Sequence, residues 1–370
     1  MADLTTARLA YRERAVRWGF AWALWCAVLW GAWYVPGAAL FFEEPFASLS
    51  ADRPGLLKTA AAITTLNAIA VLLAMVIWTG ALGKLQEYGR TIRQFKNLSK
   101  WFFAGAVFGG PIAIFGTYLA IAYIGAAFGA VAALLYPIVG ATIARLWYKE
   151  KITGRAALGI AIVVAGGVVI FTPGLLDEFR GTGTGEWLGY LGGLMAFVGW
   201  GIEGAIAARA LDVSDADVGL TIRFTAENLY WLAIIVPLTS IWLGGELWTI
   251  MWDAVTSPMI LLLLAMAGVT FGFCYVSWYK AFPLIGVGRG QAIADLYGMF
   301  ALIWLWIFSF DRPATEFWIG AALAIFGGFV MYTERRDVLE VIRAMPGIGP
   351  AEPVAELAGG TSDITGTPRS

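Results

Sequence analysis

The chain reads as an all-α integral membrane protein, with ten transmembrane helices arranged as two inverted five-helix repeats. Three observations lead there. Of its 370 residues, 59% are hydrophobic and only 14% charged, with a mean hydropathy of +0.74, a composition that water cannot solvate as a globular fold. The apolar residues fall in runs of about 20, the length a bilayer core requires. Residues also recur at a fixed offset: Asn67 and Asn228, Tyr118 and Tyr279, Gly125 and Gly286, Leu135-Tyr136 and Leu296-Tyr297, Gly159 and Gly320, Gly166-Gly167 and Gly327-Gly328, and Thr172 and Thr333 are each 161 positions apart. Five spans per copy turn the second copy over in the membrane, a plan that puts a binding site at the interface between copies.

The apolar runs predict helices over 17–41, 58–82, 101–123, 126–147, 155–173, 187–210, 219–243, 257–281, 287–309 and 316–333. The first run is too long for a cleaved secretory signal and lacks a small-residue cleavage site, so it is expected to be a retained span. Gly125 is the main break between the third and fourth helices. Positive charge sets direction. Arg8, Arg12, Arg14 and Arg17 precede the first helix; Lys84, Arg90, Arg93, Lys96 and Lys100 fill the second loop; Arg145, Lys149, Lys151 and Arg155 fill the fourth; Arg335, Arg336 and Arg343 follow the last. The alternate loops carry Glu43, Glu44, Asp52, Asp177, Glu178, Glu186, Glu246 and Asp253. Both termini are therefore expected in the cytoplasm, in a multi-pass protein of the cell membrane. The units are a cytoplasmic segment 1–16, a first repeat 17–173, a second repeat 187–334 and a cytoplasmic tail 335–370. The Gly-, Pro-, Ala- and Thr-rich tail offers no apolar face to bury and is expected to be mostly disordered.

Composition also excludes chemistry. The chain has no histidine, which removes the most versatile proton carrier and the commonest metal ligand. No metal, no cofactor and no enzymatic activity are expected. An intramembrane enzyme would have only carboxylates to work with, and no paired-aspartate motif is present. Cys26 and Cys274 fall inside apolar runs, where thiols pack as small hydrophobes. No basic patch points to nucleic acid, and the net charge of −1 says little about a membrane protein. The expected partners are a small-molecule solute, the lipid bilayer and, in assembly, a second copy as a homodimer.

Several segments resemble the drug/metabolite transporter superfamily, in its ten-helix form built from two EamA-like repeats. In the first copy these are Tyr123 to Pro137 (YIGAAFGAVAALLYP), then Lys149 to Thr153 (KEKIT) and the glycine-rich Ala161 to Ile170. In the second they are Pro283 to Tyr297 (PLIGVGRGQAIADLY), Asp311-Arg312 and Gly327-Gly328. Leu29-Trp30-Gly31 and Pro36 in the first helix are echoed by Gly199-Trp200-Gly201. The resemblance covers residues 17 to 334, and its order, spacing and duplication make it specific. It implies secondary transport of a small metabolite or drug by alternating access, and leaves the substrate open. The chain departs from that pattern in its intrahelical carboxylates, its many tryptophans and its long tail.

Helix breaks locate the expected site, because Gly and Pro free backbone groups that neighbours, water or ligand must satisfy. Pro137 and Gly298 match at the offset, each directly after a tyrosine; Pro111 and Gly272 match likewise. Helix curvature for packing is the plainer reading of both pairs. Glu203, Glu227 and Asp295 lie inside predicted helices, where an unpaired charge at the bilayer centre costs about 2.5 kcal/mol or more. They are the candidate coupling residues, proton carriers included. Gln291 sits one turn before Asp295 and Tyr297 beside it, while Trp200 shares a face with Glu203. Arg223, one turn before Glu227, offers it a neutralising partner. At the offset Asp295 corresponds to Leu134 and Glu227 to Leu66, so the second copy supplies acid.

The first copy supplies aromatic rings. Trp30, Trp33 and Tyr34 stand at i, i+3 and i+4 of the first helix and share a face, whereas Trp22, Trp25, Trp101, Trp242, Trp248 and Trp252 fit membrane-interface anchors. The expected substrate-binding set is Trp30, Trp33, Tyr34, Asn67, Tyr136, Trp200, Glu203, Asn228, Gln291, Asp295 and Tyr297. Aromatic faces with a carboxylate favour an amine or other organic cation. The alternative is a neutral polar metabolite such as a sugar or amino acid, which also stacks on Trp and bonds Asn67, Asn228 and Gln291. Carboxylates facing the site would favour the cation; carboxylates buried against Arg223 or Arg289 would favour the neutral solute.

Overall fold

The computed structural model describes residues 4–149, 153–181, 186–242, 246–309 and 314–332, and among these it contains no strand. The tail 335–370, Lys151 and the Asp311-Arg312 pair lie outside the described residues. Helix α1 spans Leu4–Ala39, so most of the segment expected to precede the first helix is part of it. Arginine is a good helix former, and the Arg-rich stretch continues the helix instead of ending it. Helix α2, Arg53–Ala81, starts where the Asp52 carboxylate accepts the Gly55 N–H at 2.6 Å. Helix α3, Leu85–Gln94, follows.

Helix α4 covers Lys96–Tyr123 and widens to π winding over Phe108–Ile114, around Pro111, which has no N–H to keep the regular ladder. Gly125 then takes φ +115, open to glycine and costly for other residues. It leads into α5, Ala126–Trp147, which tightens to one 3₁₀ turn at Ala133–Leu135. Helix α6 is Gly154–Phe179, α7 Trp187–Leu211, and α8 Ala216–Ile241 with π winding at Trp231–Ile235. Helices α9, Leu247–Thr256, and α10, Pro258–Ile285, lead to Gly286 at φ +82. Helix α11, Val287–Phe308, is interrupted by a turn at Asp295 and Leu296, and α12 is Thr315–Tyr332.

Over their described residues, all ten predicted runs are predominantly helical. Among the described residues, eight helical stretches are long and apolar enough to cross a membrane: Arg14–Phe42, α2, α4, α5, α7, α8, α10 and α11. Helices α6 and α12 carry the shorter apolar stretches Gly154–Ile170 and Thr315–Val330. Two predictions change. The regions of α3 and α9, expected as loops, are helices, and moving Leu85–Gln94 by 161 gives 246–255, which overlaps Leu247–Thr256. Helix α10 runs unbroken through Gly272, because a glycine keeps its N–H and continues the ladder that Pro111 interrupts.

Packing between the copies follows one exchange rule. Swapping α1 with α7, α2 with α8, α4 with α10, α5 with α11 and α6 with α12 converts the α1–α10 interface into α7–α4. It likewise converts α1–α11 into α7–α5 and α2–α10 into α8–α4, and all of these pairs are in contact. Helices α6 and α12 pack on each other. There a Cβ on Gly166 would lie 2.6 Å from the Gly320 carbonyl oxygen, and one on Gly327 would lie 2.6 Å from that of Gly159. Since 159 and 320, and 166 and 327, are offset pairs, the two contacts are exchange images of each other. Small residues here let backbones touch, as helices do where water supplies no driving force between them.

Candidate functional site

Three groups of side chains meet where α1, α2, α4, α5, α7, α8, α10 and α11 converge. The first is aromatic. Trp30 is stacked on Tyr297 with centroids 4.4 Å apart and planes at 15°, and stands edge-on to Trp200 at 4.6 Å. Tyr136 and Trp278 complete the ring at 5.7 and 5.8 Å from Trp30. All five side chains are fully buried. Beside them lies Asp295, 2% exposed, with neither carboxylate oxygen hydrogen-bonded. The turn that interrupts α11 places it there, at the offset image of the 3₁₀ turn in α5. The Tyr297 hydroxyl and the Trp30 indole N–H are also without hydrogen-bond partners in the protein, so a carboxyl, a hydroxyl and an indole N–H share one buried region with polar atoms left for a ligand or water. Gln291 ties this group to its neighbours: its backbone carbonyl accepts from the Tyr136 hydroxyl at 2.7 Å, and its Nε2 donates to the Trp200 carbonyl at 3.3 Å.

The second group surrounds Asn67. Its Oδ1 accepts from the Trp33 indole at 3.0 Å and the Tyr118 hydroxyl at 3.3 Å, while Trp33 stacks on Phe271 at 4.2 Å. Tyr34 donates to the Gly129 carbonyl at 3.2 Å. Asn228, expected beside these residues, instead spends its amide on the carbonyls of Ala68 at 2.8 Å and Phe224 at 2.9 Å. That use clamps α8 to α2.

The third group is ionic. Arg223, Glu203 and Glu227 are all fully buried. The Arg223 guanidinium donates through Nε to Glu203 Oε1 at 2.6 Å and through Nη1 to Glu227 Oε2. Tyr275 donates to Glu203 Oε2 at 2.7 Å and accepts from the Trp200 indole at 2.9 Å. Tyr279 reaches Glu203 Oε1 at 3.4 Å. The bonds of Glu203 go to Arg223 and the two tyrosines and not to Asp295. Removing Arg223 from such a buried set leaves its carboxylates uncompensated, at a cost of about 3–5 kcal/mol.

Further ion pairs lie towards the helix ends. Lys84 Nζ is 2.7 Å from both Asp215 and Asp217, and Lys280 is 3.0 Å from Asp217. Partial burial works against the Lys84 charge, yet the two carboxylates outweigh it and hold its pKa above the ordinary lysine value. Lys58 pairs with Glu246 at 2.6 Å. Trp25, Trp248 and Trp252 point outward, 57%, 47% and 71% exposed, as anchors would. Trp22 and Trp101 instead receive Lys280 at 5.1 Å and Arg209 at 4.8 Å over their rings. The side chain of Trp242 lies outside the described residues. Cys26 and Cys274 are free thiols with sulfurs 3.6 Å apart. Among the described residues no cluster of three or more His, Cys, Asp or Glu could hold a metal ion.

The α10 residues Phe271, Tyr275, Trp278, Tyr279 and Phe282 were missing from the expected site. Their spacing of i, i+4, i+7, i+8 and i+11 marks one helix face, and that stripe was the available signal. Gly109 and Gly110 were also unmarked. A Cβ on Gly109 would fall 2.0 Å from Glu203 Oε2, and one on Gly110 would fall 2.5 Å from Glu227 Cγ; α4 can approach the acids only because both are glycine.

No family model matches the chain, and no curated protein matches it. Among solved structures, the crystal structure of a protein of unstated function is similar with a TM-score of 0.51, at 18% identity, over 86% of this chain and 96% of its own. At that identity the likeness speaks for the fold alone: nearly the whole of another chain follows a similar helical path.

Proposed function

We propose that the chain is a secondary-active transporter of a small organic solute, most simply an amine or other organic cation, working by alternating access in the cell membrane with both termini cytoplasmic. It would be a drug/metabolite transporter of the ten-helix EamA-like kind, with α6 and α12 completing two inverted five-helix repeats. The exchange rule in the packing supports the inverted plan. Contacts between ends assigned to one membrane side support the topology: Lys84 meets Asp215 and Asp217 on the cytoplasmic side, and Lys58 meets Glu246 on the outer side.

One observation carries the choice of solute. Asp295 is a buried carboxylate with both oxygens unpartnered, beside stacked indole and phenol rings at a helix break. Such a group is neutral as the acid until a cation arrives to pair with its ionised form, and aromatic faces attract one. A second reading has its own support. Glu203 and Glu227 are both held by Arg223, which leaves one carboxylate for a ligand, and Gln291 Oε1 is unpartnered; a neutral amine-bearing or hydroxylated metabolite would suit that arrangement.

A thermal-shift series on purified protein separates the two, because a ligand that binds only the folded state stabilises it by RT ln(1 + [L]/Kd). Primary and quaternary amines are expected to raise Tm in the wild type. Asp295→Asn should fold normally and lose amine binding by roughly tenfold or more, about 1.4 kcal/mol. Shifts with sugars or zwitterionic amino acids that survive Asp295→Asn would favour the neutral solute, and no shift with any solute class would argue against transport.

A further inference from the structure

Two carboxylates and one guanidinium sum to a charge of −1 when all are ionised. In the Glu203–Arg223–Glu227 triad that excess sits on side chains with no solvent exposure, where an uncompensated charge is costly. Its location is visible in the bonding. Both oxygens of Glu203 are engaged, by Arg223, Tyr275 and Tyr279. Glu227 gives Oε2 to Arg223, while Oε1 has no partner. Gly110 faces this oxygen so closely that a Cβ there would come within 2.7 Å, and among the described residues it has no hydrogen-bond partner.

We propose that the triad binds one exchangeable proton, carried on Glu227 Oε1, and that this is where proton movement couples to solute movement, apart from the solute site at Asp295. The arriving proton converts the Glu227 carboxylate to an acid and takes the triad from −1 to 0, leaving Arg223 and Glu203 as a neutral pair. The titratable and charged groups facing Glu227 are Arg223 on its own helix, Glu203 on α7, Tyr279 on α10 and Tyr118 on α4; Tyr275 on α10 meets the triad through Glu203 and Arg223. On α8 itself Asp217 lies ten residues away, roughly 15 Å along the helix, and is occupied by Lys84 and Lys280.

The link to the solute site is short. Tyr275, bonded to Glu203, receives the Trp200 indole N–H at 2.9 Å, and Trp200 stands against Trp30, which stacks on Tyr297. A change of charge on the triad changes how strongly Glu203 holds Tyr275, and so biases Trp200. By linkage, solute bound against those rings shifts proton affinity by the same factor. The use made of the proton rests on the transporter reading; its location rests on the triad's geometry alone.

Infrared spectroscopy of the full chain in nanodiscs, titrated from roughly pH 5 to roughly pH 9, tests the location without any solute. Asp295, buried and without a partner, is also a neutral acid when no solute is bound and has a C=O band of its own, so the titration is read in the Asp295→Asn background. One carboxylic-acid C=O band that fades as pH rises is expected there, and adding Glu227→Gln should abolish it. Adding Glu203→Gln removes the excess charge, keeps Glu227 ionised against Arg223 and should abolish the band too, which covers the case where Glu227→Gln does not fold. A titrating band that survives both glutamine variants, or no titrating band, would overturn the assignment. Failure of amines to bind would leave this band unchanged, so the two readings fail separately.

Discussion

Gly110 and Gly89 carry the same side chain, and the surroundings give them opposite expectations. Gly110→Ala pushes a methyl into the Glu227 side chain, 2.5 Å from Cγ, and is expected to destabilise by about 1–3 kcal/mol through overpacking. Gly89, within α3, has no atom within 4 Å of a built Cβ, so Gly89→Ala should be neutral or stabilise by up to about 1 kcal/mol through helix propensity. Midpoints of thermal unfolding in one detergent check both, and an equal loss would contradict the packing described. This scale is where the sequence was least informative. The pairing of Arg223 with Glu227 is legible as an i, i+4 spacing. Its bond to Glu203 joins residues on different helices, and no local pattern marks it. Trp30, Tyr136, Trp200 and Tyr297 were legible as aromatic residues beside a glycine or proline, and Asp295 as a polar residue inside an apolar run. Asn228 is also polar inside an apolar run, yet its amide goes to backbone carbonyls.

Helices α6 and α12 test the duplication directly. Gly166 and Gly327 are offset partners, and each faces a carbonyl oxygen of the opposite helix at the same 2.6 Å. Gly166→Ala and Gly327→Ala are therefore expected to lower stability by similar amounts, about 1–3 kcal/mol each. A large loss in one and none in the other, by thermal unfolding, would break the equivalence. The ten long helices were legible because burial against lipid or other helices requires unbroken apolar runs. The positive-φ breaks at Gly125 and Gly286 were legible because glycine marks them at the offset. Helix α3 escaped because Gln86, Glu87, Arg90, Arg93 and Gln94 make it polar, and α9 because ten residues are too few to read as a span. The π winding in α8 does have a proline beside it: Pro237 lacks the N–H that would bond the Ala233 carbonyl, and that signal was passed over in the sequence.

For the whole molecule, orientation is the property most readily measured. Both native cysteines are fully buried, which leaves an impermeant thiol reagent free to report on introduced ones. Ala51→Cys, next to the cap of α2, is expected to label from outside intact cells, and Lys96→Cys, at the start of α4, only after the membrane is opened; labelling of Lys96→Cys alone would reverse the topology. The proposed orientation would give the break in α11 an electrical meaning. Asp295 is eight residues from Val287, roughly 12 Å from the end of the helix that the proposal puts in the cytoplasm, against a hydrocarbon core about 30 Å thick. On the cation reading, a solute that reaches it from outside would have crossed roughly three-fifths of the transmembrane field. At about 2.3 kcal/mol per charge per 100 mV, a potential of that size would contribute roughly 1.4 kcal/mol to loading, close to a tenfold change in occupancy. The off-centre position of one turn would then make the cell's resting voltage a determinant of how full the site is.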